Sequence, residues 1–488
     1  MSDYYRKKAH TNDLITTFDD ILILPGYTRF SPGEVDISSK LGNKYHFNLP
    51  IMSAAMDTVT EEGMAIKMAL LGGLGVLHRN CSYEKQLKMV RYVKRARSFV
   101  IEDVATISPD EPIYKAKSFM ENYGISGVVV VDDKDNVCGI FTKRDIPYSE
   151  EDCNNGHVKD FMTKNVISIT PDGSREQALE LLYKNRIEKL PIIENGKLKG
   201  LITTKDLKPE FPLASIDEEG RLLCALAISP KFPESLEDQK ILQEIDQYTD
   251  IFFIDVADFY KDEDIKGTRK LMEILEADFV IGNIGTYDAA EYILTKCDFS
   301  EKFIALKVGM GSGSICTTSI QTGVGAPTLY ATAEVADAIS DYNPKIGLIA
   351  DGGFKNPGDL PKAFAVGADM VMSGHFFAGC TESPGYVDTI QGRKVKIYRG
   401  MGSKEARTSK YILDRYSVDA KMLPEGVSSY VPFVGDLEGV ILTLKEGLAN
   451  GMIYAGAQNL KDMRKAKIGV ISPMGQTEAR PHDLLGKY

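Results

Sequence analysis

No two cysteines in this sequence stand in a C-x-x-C spacing. The seven that occur, Cys81, Cys138, Cys153, Cys224, Cys297, Cys316 and Cys380, are odd in number and scattered. That pattern excludes a disulfide framework and a structural zinc site, and it fits a reducing compartment. No apolar run approaches the roughly 18 residues a membrane span requires. The opening MSDYYRKKAH also lacks the apolar stretch of a secretion signal. The expectation is a cytoplasmic protein with no membrane partner. Positive charge is in short supply too: Lys plus Arg number 58 against 69 Asp plus Glu, so 58 − 69 gives −11. This argues against a surface that coats nucleic acid, while leaving room for a local basic pocket. Finally, no strand-like segment runs into a G-x-G-x-x-G that opens a helix with an acidic residue about 20 positions on. A doubly wound dinucleotide fold is therefore disfavoured.

What is present is ordinary core material, 43% hydrophobic and 26% charged over 488 residues, enough for two or three domains. Between about Arg95 and Lys208 the chain repeats itself. VATISPDEPI at Val104 returns as VISITPDGSR at Val166, and VCGIFTKRDI returns as LKGLITTKDL. Each copy reads as extended segment, helix, strand, turn and strand, closing on T-x-x-D, a unit too small to stand alone. The pattern resembles a tandem CBS pair. That resemblance implies purine nucleotides such as ATP or GTP as ligands, with Thr142 and Thr203 near the phosphates and Asp145 and Asp206 on a ribose. The plainer alternative is that the two aspartates cap the helices that follow.

Outside the repeat, eight short apolar segments recur: LPIMSAA, GVLHRN, LCALAIS, IFFIDVAD, DFVIGNI, FIALKVGM, IGLIADGG and DMVMSGH. Most end in a small or polar group and precede a helix-like stretch. Strands buried on both faces read as continuous Val/Ile/Leu/Ala runs, so the pattern predicts an α/β fold, a (β/α)8 TIM barrel with the repeat inserted after the second strand. Barrel chemistry sits at the carboxyl ends of strands. There the sequence places Ser53, Met56, His78, Asp255, Asn283, the loop GMGSGSICTT, Asp351, Ser373 and Gly374. Backbone N–H groups at Ser314, Gly353 and Gly374 are placed to cradle a phosphate, with Asp351 accepting from ribose hydroxyls, which suggests a nucleoside monophosphate. A lone cysteine is usually a small buried hydrophobe. Cys316 follows a loop with little apolar content, among N–H groups and hydroxyls that could stabilise a thiolate, and is read as a nucleophile.

The stretches TFDDILILPGY, MSAAMDTVTEEGMA, GGLGVLHRN, GMGSGSICTT, IADGG, YRGMGS, DRY and PEGVSSYVPFVG resemble the IMP dehydrogenase family over nearly the whole chain. The resemblance implies a barrel in two parts, 1–94 and 213–488, around a tandem CBS (Bateman) domain at 95–212. It implies oxidation of IMP to XMP with NAD, the first committed step of guanine nucleotide synthesis. Cys316 would add to C2 of IMP, and water would later release the thioimidate. A mobile flap at about 404–424 would carry Arg415 as base beside Tyr416, with Thr318 and Glu425 as a second proton route. Tyr398, Gly400, Met401 and Gly402 would hold the base and phosphate, and Asp255, Asn283, Gly309 and Gly311 would lie on the cofactor side. Backbone carbonyls at Gly309, Gly311, Gly313 and Cys316 would hold a monovalent cation, potassium, with Glu478 of a neighbouring subunit. The assembly implied is a homotetramer, or an octamer.

Three departures lean toward GMP reductase, the sister enzyme that converts GMP to IMP and ammonia with NADPH. DVAD follows the strand of Asp255 where the dehydrogenases usually have Ser-Ser, Gly374 is followed by His375 where a serine is usual, and Ser319 stands where Arg or Gln is frequent. The flap bearing Arg415 and Tyr416 argues for the dehydrogenase. A purine-nucleotide sensor without catalysis is the third reading.

Overall fold

The eight predicted strands form one closed parallel barrel in the computed structural model. It describes every residue except 1–9, 12–13, 97–103, 123–124, 172, 205–210, 409–410, 412–422 and 482–488. The strands are β1 (Ile51–Ser53), β2 (Leu74–Leu77), β3 (Ala225–Ile228), β4 (Ile251–Asp255), β5 (Asp278–Ile284), β6 (Phe303–Val308), β7 (Gly347–Asp351) and β8 (Met370–Ser373). Each pairs in parallel with the next, and β8 closes on β1 through Ser373 opposite Ser53. β2 lies beside β3, with Leu77 opposite Leu226, so the barrel is continuous across the long excursion between them.

These segments are strands because both faces are covered. Every residue of β3, β4, β5 and β6 is buried, and their Val, Ile, Phe and Ala content suits a pleated sheet packed on two sides. Period-two alternation divides them. Ile251, Phe253, Val280, Ala305 and Ile349 fill the interior with Met52, Val76 and Met372. Phe252 points outward, 5.6 Å from Phe279. The hairpin Ser39–Leu41 with Tyr45–Phe47 sends Leu41 and Phe47 into the same interior cluster. Helices such as Tyr83–Arg95 and Tyr287–Lys296 cover the outside, their first turns capped by Ser82 and Thr286. Among the described residues no helix is long and apolar enough to cross a membrane.

Near the amino ends of the strands a buried lysine holds two loops together. Lys94 Nζ donates to Asp217 Oδ2 and Asp250 Oδ2, both at 2.7 Å. The same Asp250 oxygen accepts from Cys224 N–H at 2.7 Å, and Asp217 also accepts from Arg221. The two acids and two bases offset one another around the one buried member, Lys94, which is the condition under which a buried charge is tolerated.

The chain divides into two units: Met1–Ala96 with Leu213–Tyr488, and Arg97–Pro212. The second unit shows the sequence repeat in three dimensions. Its first half has a helix Ile113–Asn122 and a hairpin Gly127–Val131 with Val137–Thr142; its second half has a helix Arg175–Asn185 and a hairpin Lys189–Glu194 with Lys197–Thr203. The two small cores use matching positions. Ala116, Met120, Val128 and Val130 fill one, and Ala178, Leu182, Leu190 and Ile192 the other. Every pair is 62 apart (178 − 116, 182 − 120, 190 − 128 and 192 − 130), so the repeat in sequence is a repeat of the buried face.

Candidate active site

The carboxyl ends of the strands open into a cleft whose space, mouth included, is about 860 Å3. Its lip is the loop after β6. Glycine is required at two points there. Gly309 has φ +126°, and a Cβ on it would lie 2.5 Å from the Asp351 carbonyl oxygen. Gly311 has φ +78°, and its Cβ would sit 2.0 Å from Ser319 Oγ. Ser319 Oγ is thus wedged against Gly311 and Gly325, where a Cβ would lie 2.0 and 2.2 Å from it.

Cys316 lines this cleft and is half-buried. Its Sγ lies 3.2 Å from Thr318 Oγ1, which in turn donates to Glu425 Oε2 at 2.8 Å. Thr318 and Glu425 are both buried. The partnership is fixed by backbone: Thr317 N–H donates to the Glu425 carbonyl at 3.0 Å, Val427 N–H to Ile315 at 3.0 Å, and Glu425 N–H to Gly402 at 3.0 Å. Residues more than a hundred positions apart are therefore locked in register beside the sulfur. Burial pushes the thiols of Cys81 and Cys380 up to about 12 and that of Cys297 up to about 11, and it raises Cys224 as well.

On one flank of Cys316 lie Met56, Gly374, Tyr398, Gly400, Met401 and Gly402. A Cβ on Gly374 would meet Tyr398 Oη at 2.7 Å and Met56 Sδ at 2.8 Å, so three of the predicted positions form one tight contact. Tyr398 is buried, which pushes its hydroxyl up to about 12 although a hydrogen bond with Ser314 works the other way; it stays a neutral donor. Ser314 thus touches the site through Tyr398. His375 stands beside the Tyr398 ring, 6.3 Å between centroids, and partial burial lowers its pKa, favouring the neutral imidazole. Gly352 lines the main cleft, whereas Gly353 lines a smaller neighbouring recess with Phe18 and Thr328.

On the other flank, Asp255, Asn283 and Asp351 converge from the ends of β4, β5 and β7. They meet on Lys307 of β6, which the sequence reading did not single out. Lys307 Nζ donates to Asp255 Oδ1 at 3.1 Å, to Asp351 Oδ2 at 2.8 Å, and to Asn283 Oδ1. Val256 and Ala257, in place of serines, give this flank an apolar wall. The only hint of Lys307 in sequence is a lysine inside an otherwise apolar strand, FIALKV, where an unpaired charge would be costly.

Other groups brace the rim. Asp57 takes a bidentate pair from Arg399, 3.2 Å from Nε and 2.6 Å from Nη2, and a bond from Asn80 Nδ2 at 2.6 Å. His78 Nδ1 accepts from Asn80 N–H at 3.0 Å, leaving Nε2–H to donate to Glu61 at 3.1 Å. That hydrogen bond, with help from Lys85, holds the Glu61 carboxyl down to about 2 against the opposing pull of burial. The described residues of the predicted flap include a short helix, Lys404–Arg407, capped by Ser403, and Tyr411, whose carbonyl accepts from Arg79. Arg415 and Tyr416, and Asp206 of the repeat, lie outside the described residues. Glu478 ends an exposed helix, Pro473–Glu478, and is not among the residues lining the cleft.

In the second unit a cleft is lined by Thr142, Lys143, Arg144, Asp145, Asn165, Arg186 and Lys189. Asp145 Oδ2 accepts from the N–H and hydroxyl of Thr142, at 2.7 and 2.8 Å, as a local cap. Thr203 ends the second hairpin opposite Lys189.

Comparison with known proteins agrees with this geometry. The family model described as the IMP dehydrogenase / GMP reductase domain matches residues 15–482. Inosine-5'-monophosphate dehydrogenase of Korarchaeum cryptofilum is 44% identical over 474 residues, covering 96% of each chain. That of Methanocaldococcus jannaschii is 43% identical over 496 residues, covering 98% of this chain and 96% of the relative. Among solved structures, a GMP reductase from Trypanosoma brucei in complex with guanosine 5'-monophosphate superposes with a TM-score of 0.84 at 32% identity, covering 97% and 99% of the two chains. A glycine-rich loop carrying Cys316 at the mouth of a (β/α)8 barrel and a family match over nearly the whole length lead to one conclusion: this chain belongs to the IMP dehydrogenase / GMP reductase family.

Proposed function

We propose that this protein is an NAD-dependent oxidoreductase that converts IMP to XMP. The observation that carries the reading is the chain Cys316–Thr318–Glu425 opening into a cleft that also presents Asp351 and the Gly374–Tyr398 contact. The curated relatives above 40% identity bear the dehydrogenase name.

Asp351 accepts from the ribose hydroxyls of IMP, while Tyr398 and the glycine-rich backbone at Gly374 and Gly400 to Gly402 seat the base and phosphate beside Met56 and Met401. Ser314 and His375 belong to the same phosphate end through Tyr398, and Gly353 borders it from the neighbouring recess. The Cys316 thiolate adds to C2, forming a C–S bond; the C2 hydrogen leaves as hydride and a thioimidate remains. NAD, when bound, accepts that hydride. Asp255 and Asn283 face the cofactor against the apolar wall of Val256 and Ala257, with Gly309 and Gly311 on the loop side. Water then adds to C2, the C–S bond breaks, and the thiolate departs. Arg415 beside Tyr416 on the flap acts as the base toward that water, and Thr318 with Glu425 forms the second route for its proton. Dividing one difficult oxidation into two steps is the gain from covalent attachment.

A monovalent cation such as potassium suits the loop carbonyls better than a divalent ion does. Among the described residues no group of three His, Cys, Asp or Glu is placed for a metal. The Gly309 and Gly313 carbonyls each already accept one hydrogen bond, at 2.7 and 2.9 Å, so a weakly demanding oxygen-seeking ion fits. Gly311, Gly313 and Cys316 would supply carbonyls, with Glu478 from a neighbouring copy in a tetramer or octamer. The second unit reads as a tandem CBS module taking ATP or GTP. Asp145 retains Oδ1 for a ribose, Thr142 and Thr203 face phosphates with Lys143, Arg186 and Lys189, and Asp206 repeats the role of Asp145. The setting is cytoplasmic.

GMP reduction is the second reading, favoured by Val256-Ala257 and by the Trypanosoma brucei structure. One experiment separates them. IMP with NAD should raise absorbance at the reduced-cofactor band, and GMP with NADPH should leave it flat. The reverse pattern would make the chain a reductase, and silence in both would favour a sensor.

A further inference from the structure

We infer that Lys307 is a positioning residue that couples the nucleotide side of the cleft to the cofactor side. The inference rests on the reading above for which ligand sits on which side, and on geometry for the coupling itself.

An ammonium has three protons, and Lys307 directs one each at Asp255 Oδ1, Asn283 Oδ1 and Asp351 Oδ2. Its acceptors come from three different strands, and Lys307 stands on β6 between β5 and β7. The cluster sits at the floor of the cleft, where Lys307, Asp255 and Asn283 are buried and Asp351 is partly so. Two carboxylates brought together in such a place repel unless a cation lies between them. Lys307 is that cation, and it fixes more than charge. With Asn283 Oδ1 engaged by Lys307, its Nδ2 is turned to donate to the Gly309 carbonyl at 2.7 Å and to Asp351 Oδ2 at 3.2 Å. The amide orientation, the start of the Cys316 loop and the Asp351 carboxylate are therefore set by one ammonium. Asp351 Oδ2 takes both of those bonds, and among the described residues its Oδ1 takes none, which leaves that oxygen for a ribose hydroxyl. On the opposite side the same ammonium sets Asp255. A ligand that draws Asp351 into the cleft shifts the balance of bonds on Lys307, and Asp255 and Asn283 feel it.

The contact is built into the strands. A Cβ on Gly282 would lie 2.8 Å from Lys307 Cβ and 2.7 Å from its carbonyl oxygen, so β5 approaches β6 closely enough for Asn283 to reach Nζ.

The test compares wild type with Lys307→Met, Lys307→Arg and the double variant Lys307→Met/Asp255→Asn. Each is followed by kcat and KM for IMP and NAD across pH, and by protection of Cys316 from iodoacetamide with IMP alone. Lys307→Met should raise both KM values by about tenfold or more, the scale of a lost charged hydrogen bond, and weaken IMP protection. With the ammonium gone, the two acids face each other with the Arg79 guanidinium held at the Asp255 carbonyl, and the acid limb of kcat/KM should move up by about one pH unit or more. Lys307→Arg should restore most of the wild-type profile. The double variant leaves one acid, so it should lose the pH displacement while keeping the high KM for NAD, and it stands in if Lys307→Met does not fold. An unmoved acid limb in Lys307→Met, or a high KM for NAD alone with IMP protection intact, overturns the coupling. Because alkylation protection needs no turnover, an enzyme inactive with IMP and NAD would sink the functional reading while IMP protection still tested Lys307.

Discussion

Two buried lysines in this barrel are each held between two aspartates, one near each end of the strands. Lys94 sits near the amino ends with Asp217 and Asp250; Lys307 sits near the carboxyl ends with Asp255 and Asp351. Charge and burial are nearly the same. The difference is in what the carboxylates have left to do. Asp217 spends both oxygens on Lys94, Arg221 and the backbone N–H groups of Glu219 and Arg221, and Asp250 Oδ2 is shared between Lys94 and Cys224 N–H. Asp255 and Asp351 line an open cleft beside Cys316. A buried ion cluster is thus a clasp where its lone pairs are spent inside the protein, and part of a site where they face space a ligand can fill.

The comparison can be broken at either end. The largest effect belongs to the mouth. Cys316→Ser should lower kcat by several orders of magnitude, because oxygen is a poor replacement for the soft sulfur nucleophile, while IMP binding and the melting temperature stay near wild type. Calorimetry with IMP and a turnover assay check the two halves. Lys94→Met should do the opposite. Taking the ammonium from two partly buried aspartates, one of which keeps Arg221, should cost about 1.5–3 kcal/mol of stability, read as a lower midpoint in denaturant, with KM values little changed in the protein that remains folded. If Lys94→Met altered KM and spared stability, the distinction between clasp and site would fail.

A smaller effect sharpens the comparison at the rim. Glu61 is held down to about 2 in the folded protein, from an ordinary value of 4.5. Its folded pKa is depressed, so the stability it adds is fully present above pH about 4.5 and fades as pH falls toward 2. Glu61→Gln should therefore flatten the acid side of the stability curve and lower stability modestly at neutral pH. A curve of unchanged steepness below pH 4.5 would remove Glu61 from that role.

Much of this was legible in the sequence, for reasons that differ by element. The barrel strands could be read because a parallel sheet buried on both faces leaves continuous apolar runs such as IFFID and FIALKV. The two-copy character of the inserted unit could be read because its cores reuse positions 62 apart. The Cys316 loop could be read because crowding at Gly309 and Gly311 forbids a side chain, and that prohibition marks the sequence. Lys307 could not, since nothing local says that three strands will place their acceptors around it. The approach of Glu425 to Thr318 was available only through family resemblance; the backbone register between 315–317 and 425–427 that creates it is a tertiary fact. Ser319 illustrates the reverse. As a departure from the family pattern it was visible at once, and its wedge between Gly311 and Gly325 is visible only in three dimensions.

The central claim is a covalent bond between Cys316 and the purine, and mass spectrometry of enzyme quenched during turnover tests it most directly. With IMP and NAD, Arg415→Ala should slow hydrolysis more than hydride transfer, so the peptide bearing Cys316 should carry the nucleotide mass in a large fraction of molecules. Reduced cofactor appearing while that peptide stays unmodified at every quench time would contradict the account.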